Sequence, residues 1–256
     1  MTNLQTLSQQ QFGAHAQNYV TSAVHAQGES LNRMLELVRP QPHWRALDIA
    51  TGGGHTALAF APHVREVVAS DITTPMLAAA EKFIRDQGVT NVTFQEAEAG
   101  ALPFGDAEFD LVTCRLAAHH FPDCAQFVRE TARALKPGGV AALIDNVTPP
   151  DTVAARHINA FEKLRDPSHG WQSTVAEWEA FHLAAGFTVM ASETFRKPMD
   201  FDDYCERMSV PPHTRQQLRV MLKHAPASAL EALAPEFVGE SITFTLTEIL
   251  LVATRR

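Results

Sequence analysis

The stretch Asp48-Ile-Ala-Thr-Gly-Gly-Gly54 has the residue types to hold a ligand by its main chain. Glycines in a turn let a ligand approach the backbone closely, and the N–H groups that open a following helix then face that ligand. Gly52-x-Gly54-x-x-Ala57 satisfies the G-x-G-x-x-G/A spacing of dinucleotide sites, and Asp71 stands close to the acidic position expected about 20 residues on. A carboxylate at a strand end accepts two hydrogen bonds from a ribose diol. Glu98, within Glu96-Ala-Glu98-Ala-Gly-Ala-Leu102, is placed to accept from an adenine amine, and the next N–H, of Ala99, to donate to a ring nitrogen. Two cofactors fit these residues. One is NAD(P), which brings a pyrophosphate. The other is S-adenosylmethionine, which brings a sulfonium, an ammonium and one carboxylate. Asp48 favours the second, because an acid beside the loop repels phosphate and complements a cation.

Three histidines have the chemistry of a general base. His119 and His120 follow the strand reading Phe109–Cys114, and His169 lies in Asp166-Pro-Ser-His169-Gly-Trp171, which reads as a lid loop. An imidazole titrates near neutral pH and takes a proton from a hydroxyl or an activated carbon. Tyr19 and His25 are further candidates from the N-terminal segment. His119, His120 and Cys124 are close in sequence but lack the spacing that closes a tetrahedral metal site, so no metal is expected. Phe181, Phe195, Phe201, Trp171 and Trp178 are candidates for an apolar acceptor pocket.

The elements that must position these groups alternate in type. Strands are predicted at 44–50, 65–70, 91–95, 109–114 and 140–144, separated mainly by helices. Leu31, Met34, Leu35 and Val38 recur at helical spacing, and Thr74-Pro75 opens another helix that Gly88 ends. This order predicts an α/β fold with a parallel sheet covered on both faces. After Pro149-Pro150 helices dominate, one with a capping box at Thr174 and Glu177. Late strands follow at 187–195 and 241–253, around a helical insertion at about 198–238 that covers a substrate or forms a homodimer surface.

Composition narrows the function classes. The chain has 256 residues, 45% hydrophobic and 20% charged, within the range of a globular protein. Lys+Arg number 21 and Asp+Glu 29, a net charge of −8. No basic run offers a phosphate-neutralising footprint, so nucleic acid is not expected as a partner. No apolar stretch is long enough for an integral membrane segment, and the polar N-terminus lacks the pattern of a signal peptide. Three scattered cysteines, without a CxxC pair, fit a reducing compartment, and a cytoplasmic location is expected.

ALDIATGGGHTA, VVASDIT, LPFGDAEFDLVTCRLAAHHF and LKPGG, in that order, resemble the class I S-adenosylmethionine-dependent methyltransferases. Within that fold the chain resembles the methyltransferase type 11 group and is similar to the ubiquinone/menaquinone-biosynthesis C-methyltransferases. The resemblance spans 12–146 and weakens after Pro150. It implies a Rossmann-like, seven-stranded, mostly parallel sheet whose last strand is antiparallel, with helices on both faces. It implies one domain: 1–39 a helical lid segment, 40–150 the cofactor-binding core, 151–256 the acceptor-side helices and terminal strand pair. It also implies that Gly52 and Gly54 lie under the methionine moiety and that Asp71 binds the ribose. Ile72 and Met76 then flank the adenine, Glu98 and Ala99 meet its edge, Arg115 and Leu116 form the lip towards the acceptor, and Tyr19 closes over the cofactor. Ala50 stands where the family usually has glycine, which shifts the expected loop, and Glu98 stands for the usual aspartate. The function implied is methyl transfer to a small molecule, with C- or O-methylation of an apolar or aromatic metabolite favoured. The alternatives are an NAD(P)-dependent oxidoreductase and a cofactor-binding protein without methyl transfer.

Overall fold

The computed structural model describes residues 3–21 and 28–256, with side chains from Leu4 to Gly13 and from Gly28 onward. The strands are β1 (Arg45–Ile49), β2 (Glu66–Asp71), β3 (Val92–Glu96), β4 (Phe109–Arg115), β5 (Leu135–Val147), β6 (Phe187–Asp200), β7 (Glu236–Val238) and β8 (Ser241–Arg255). Their order is β3-β2-β1-β4-β5-β8-β6, with β7 also paired to β8. β3, β2, β1, β4 and β5 pair in parallel, and β8 runs antiparallel between β5 and β6.

The helices are α1 (Asn3–Thr21), α2 (Glu29–Val38), α3 (His55–Phe60), α4 (Thr74–Asp86), α5 (Cys124–Ala134), α6 (Thr152–Arg165), α7 (Val175–Ala184), α8 (Phe201–Glu206), α9 (Pro212–Lys223) and α10 (Ala227–Leu233). The central strands are buried on both faces, and successive side chains serve opposite layers. Leu47 and Ile49 of β1 pack with Phe127 and Val128 of α5 and Trp178 of α7. Ala46, on the other face, packs with Leu31, Met34 and Val38 of α2, Phe60 of α3 and Ile84 of α4. Each such large side chain contributes about 1.5–3 kcal/mol of burial.

The predicted strands and helices are present, with three differences. β5 begins at Leu135, because Leu135 already pairs with Phe109 before a register shift carries Leu111 to Val140. The Lys136-Pro137-Gly138-Gly139 turn is therefore a bulge within the strand. The insertion is shorter than 198–238: β6 continues to Asp200, and β7 is an additional strand at its end. The third difference lies within 1–39, where α2 belongs to the core while α1 lies over the carboxyl edge of the sheet. Gln9 Nε2 donates to the carbonyl of Ile72 (2.9 Å) and fastens α1 there.

Gly54 shows how tightly the first turn is packed. Its φ is 85°, and a Cβ there would lie 2.9 Å from Ile84 Cδ1 and 3.2 Å from Ala80 Cβ. Gly88 has φ 77° but nothing within 4 Å. Gly88→Ala is expected to cost only the left-handed strain, about 1–2 kcal/mol. Gly54→Ala is expected to add an overpacking cost of about 1–3 kcal/mol. Urea unfolding of both variants checks this, and equal losses would refute the packing role of Gly54.

Candidate active site

A cavity of about 530 Å³ opens at the carboxyl ends of β1, β2 and β4, beneath α1. Gln5, Ser8 and Phe12 of α1 line its roof. This is the place where an open α/β sheet binds ligands, since strand ends and helix starts converge there.

The first turn is fixed from below. Asp48 is 1% exposed and accepts from Thr51 Oγ1 through Oδ2 (2.7 Å) and from Thr113 Oγ1 through Oδ1 (2.7 Å). Thr51 N–H donates to the carbonyl of Ser70 (2.8 Å), so the turn is tied to β2 as well. Asp48 therefore lies under the loop and does not line the cavity, which corrects the expectation that it meets a ligand. Burial pushes its carboxyl up to about 6, against the two threonine hydroxyls. Gly54 is likewise absent from the lining, because its Cα is turned to Ile84. Ala50 and Gly52 do line the cavity, with φ 52° and 53°. Ala50 thus holds the left-handed backbone that glycine adopts without strain.

Asp71 lines the cavity and is held by its surroundings. Its Oδ2 accepts the N–H of Gly52 (3.0 Å) and its Oδ1 that of Thr73 (2.9 Å). Each oxygen keeps a further lone pair for a ligand hydroxyl. Burial raises the Asp71 pKa while these N–H groups oppose the rise. Ile72, Met76, Glu98, Ala99, Arg115 and Leu116 also line the cavity. Leu116 has φ 54°, a second non-glycine residue in the left-handed region at the cavity edge. Burial lowers the Arg115 pKa, while Glu248 and Asp48 favour its charge.

His119, His120 and His169 form a cluster, and of these three His120 lines the cavity, whose lining also includes His55. His119 is turned away: its N–H donates to Asp145 Oδ2 (2.8 Å) and its Nδ1 lies 2.5 Å from Asp145 Oδ1. His169 is 1% exposed, and its Nε2 lies 2.8 Å from Asn159 Oδ1. His119 and His169 are therefore corrected as direct ligand contacts. The side chain of Tyr19 and the whole of His25 lie outside the described residues. None of the five aromatic candidates for an acceptor pocket lines the cavity. Trp178 and Phe201 are core residues, Phe181 and Phe195 pack at core edges, and Trp171 is 45% exposed.

Comparison with known proteins decides the family. A family model described as a methyltransferase domain matches residues 47–143. An uncharacterized methyltransferase, YcgJ of Bacillus subtilis, is 37% identical over 247 residues, covering 96% of this chain and 98% of its own. The YcgJ crystal structure superposes with a TM-score of 0.85, covering 89% of this chain and 98% of that one. The chain belongs to the type 11 methyltransferase family. The demethylmenaquinone methyltransferase of Thermus thermophilus is 38% identical over 120 residues, 46% of this chain and 54% of its own. The ubiquinone/menaquinone biosynthesis C-methyltransferase of Shewanella frigidimarina is 34% identical over 119 residues, 45% of this chain and 47% of its own.

The methyltransferase uses S-adenosylmethionine as its methyl donor, and the cavity suits that group. Its lining carries Asp71, Glu98 and Asp123, with Arg115 as its one Lys or Arg among the described residues. Such a wall complements a cationic ligand and opposes a pyrophosphate. The oxidoreductase reading and that of a binding protein without methyl transfer are set aside by the family. Among the described residues, no helix is long and apolar enough to cross a membrane.

Gln5, Ser8, Phe12 and Thr73 line the site but were not singled out in the sequence. The α1 residues lie in a polar stretch with no chemical signature. Asp145 was missed because its partner His119 lies 26 residues away in the chain.

Two measurements test this geometry. Asp71→Ala is expected to weaken binding of S-adenosylhomocysteine by about 1–3 kcal/mol, read by calorimetry. An unaltered Kd would remove Asp71 from the ribose site. The second concerns Asp48, whose folded-state pKa of about 6 exceeds its ordinary 3.8. The folded state therefore holds the proton more tightly, and stability falls as pH rises from about 4 to about 6. Relative to Asp48→Asn, the wild type is expected to lose on the order of 3 kcal/mol across that window. Urea unfolding at several pH values checks it, and a pH-independent difference would contradict it.

Proposed function

We propose that this methyltransferase methylates a hydroxyl or an activated carbon of a small apolar or aromatic acceptor, with His120 as general base. The observation that carries the proposal is the position of His120. Of the three clustered imidazoles it is the one that lines the cavity, beside Phe12, Leu116 and Phe121. Phe12 of α1 meets its ring edge-on, with centroids 4.8 Å apart.

Its protonation pattern supports that role. Nδ1 lies 2.9 Å from the carbonyl of Ser168, which only accepts, so Nδ1 carries the proton and donates it. Nε2 is then the nitrogen with the lone pair. Burial, and next the neighbouring His119, lower the His120 pKa to about 4, so the ring is neutral at physiological pH.

On the cofactor side, Asp71 holds the ribose diol, Glu98 and Ala99 meet the adenine edge, and Ile72 and Met76 flank its ring. Ala50 and Gly52 offer backbone to the methionine moiety. S-adenosylmethionine supplies a methyl on a sulfonium, which leaves as a thioether with the carbon–sulfur electron pair as the acceptor's pair forms the new bond. His120 Nε2 takes the acceptor proton, and Asp166 Oδ2, 3.9 Å from Nε2, offsets the charge that forms. Gln5, Ser8 and Phe12 exclude water from above. The relatives named for quinone C-methylation support a hydroxylated aromatic ring as the acceptor class.

The test is release of S-adenosylhomocysteine with a panel of catechols, quinols, phenols and primary amines. Turnover is expected with the hydroxylated aromatics. His120→Gln is expected to lower kcat by about 100-fold or more, with the Kd for S-adenosylhomocysteine unchanged. Turnover of amines alone, or an undiminished kcat in the variant, would overturn the reading.

A further inference from the structure

The cluster behind His120 contains more ionisable groups than a proton acceptor needs, and its geometry orders them. Asp145, 0% exposed at the end of β5, takes both the main-chain N–H and the ring Nδ1 of His119. A carboxylate only accepts, so His119 Nδ1 is a donor. The His119 ring lies against that of His120, with centroids 4.2 Å apart. From the other side, the turn after α6 reaches His120 through Ser168. Ser168 itself is held by Asp166, whose Oδ1 accepts its N–H (2.8 Å) and its Oγ–H (2.6 Å). The turn is pinned in its place because Gly170 and Trp171 N–H donate to the carbonyl of His119 (2.8 and 3.0 Å).

We propose that Asp145 and Ser168 are the positioning residues of the acceptor base: Asp145 holds His119 as an imidazolium whose charge keeps the neighbouring His120 neutral, and the Ser168 carbonyl places the His120 proton on Nδ1 and leaves Nε2 bare. This rests on the reading of His120 as the acceptor base. It extends the catalytic apparatus to Ser168, beyond the 47–143 segment that matches the family model.

The charges around the pair agree with this ordering. Burial disfavours charge on His119, but the Asp145 carboxylate outweighs it and raises the pKa above the ordinary value, with smaller support from Glu162 of α6 and from Asp166. His169 completes the cluster, its ring 5.6 Å from that of His119. Asn159 Nδ2 donates to the carbonyls of Ala155 and Gln172, so its Oδ1 accepts from His169 Nε2. Burial, then the charge of His119 and those of Lys163 and Arg165, hold the His169 pKa down at about 2. From α5 the nearby ionisable group is Cys124, kept protonated by burial and by Asp145. The described side chains of α1 include no titratable group. Of the trio, His119, next to Asp145, is thus the ring on which protonation is favoured.

The experiment is NMR of the full chain with labelled histidine nitrogens, saturated with S-adenosylhomocysteine, from pH 3 to 8. The wild type is expected to show His120 as the Nδ1–H tautomer at neutral pH, with His119 staying protonated to higher pH than a free imidazole. His119→Asn keeps a donor for Asp145 but cannot carry the charge, so the protonation midpoint of His120 is expected to rise by about one pH unit or more. Asp145→Asn is expected to move it the same way, and His119→Asn decides alone if that buried variant does not fold. A purely structural role for His119 would leave the midpoint where it is. His120 found as the Nε2–H tautomer, or an unmoved midpoint in His119→Asn, overturns the proposal. No acceptor is present, so this result stands apart from the turnover test of His120.

Discussion

The site depends on one buried carboxylate, that of Asp48. Its two oxygens are consumed by Thr51 on the turn and Thr113 on β4. Those bonds tie the turn after β1 to the neighbouring strand, and Ser70 ties it to β2. Three parallel strands thereby end at a common level, and the left-handed residues Ala50 and Gly52 are held above them. A buried acid costs free energy unless its lone pairs are used, and here protein donors use them. The raised Asp48 pKa measures what burial still costs after the two hydroxyls have acted. Asp71, the next acid along the edge, is different in that its N–H donors leave lone pairs on the cavity side.

The His120 side of the cavity is built on a second knot, around His119. That residue contributes both its peptide groups and its ring: N–H and Nδ1 to Asp145, carbonyl to Gly170 and Trp171. The 166–171 turn is far from the strand ends in sequence, and this knot is what brings it beside them. Tying the turn to the end of β4 makes Ser168 and Asp166 part of a rigid element, and rigid placement is what a proton acceptor needs.

Much of this was legible in the sequence because it depends on local signals. The strand runs, the Gly52–Gly54 turn and the Thr174–Glu177 capping box are each set by neighbouring residues. Asp71 follows from its place at the end of a strand, whereas Arg115 came only with the family resemblance. What was not legible depends on direction or distance. Asp48 sits between Leu47 and Ile49, and the alternation of a strand shows that it leaves them but not what it meets. His169 meets Asn159 and His119 through tertiary contacts that no spacing encodes. The Asn3–Gly13 part of α1 is polar, with little amphipathic contrast, because its buried face covers a cavity rather than a core.

That polar roof also has an electrostatic consequence. Over its described side chains α1 brings Gln5, Ser8, Gln9 and Phe12, and no charge. A charged lid would bind its ligand partly by ion pairing, and closing it over the site would desolvate that charge. A neutral lid leaves the discrimination to the fixed wall, where Asp71, Glu98 and Asp123 face the cavity with Arg115. S-adenosylmethionine carries one more positive charge than S-adenosylhomocysteine. The acidic wall therefore favours the donor over its product, while the lid contributes area and water exclusion to both alike. Cover and charge are separated in this fold: the described side chains of α1 that cover the cavity are uncharged, and the acids of the lining come from the strand ends and the loops that follow them.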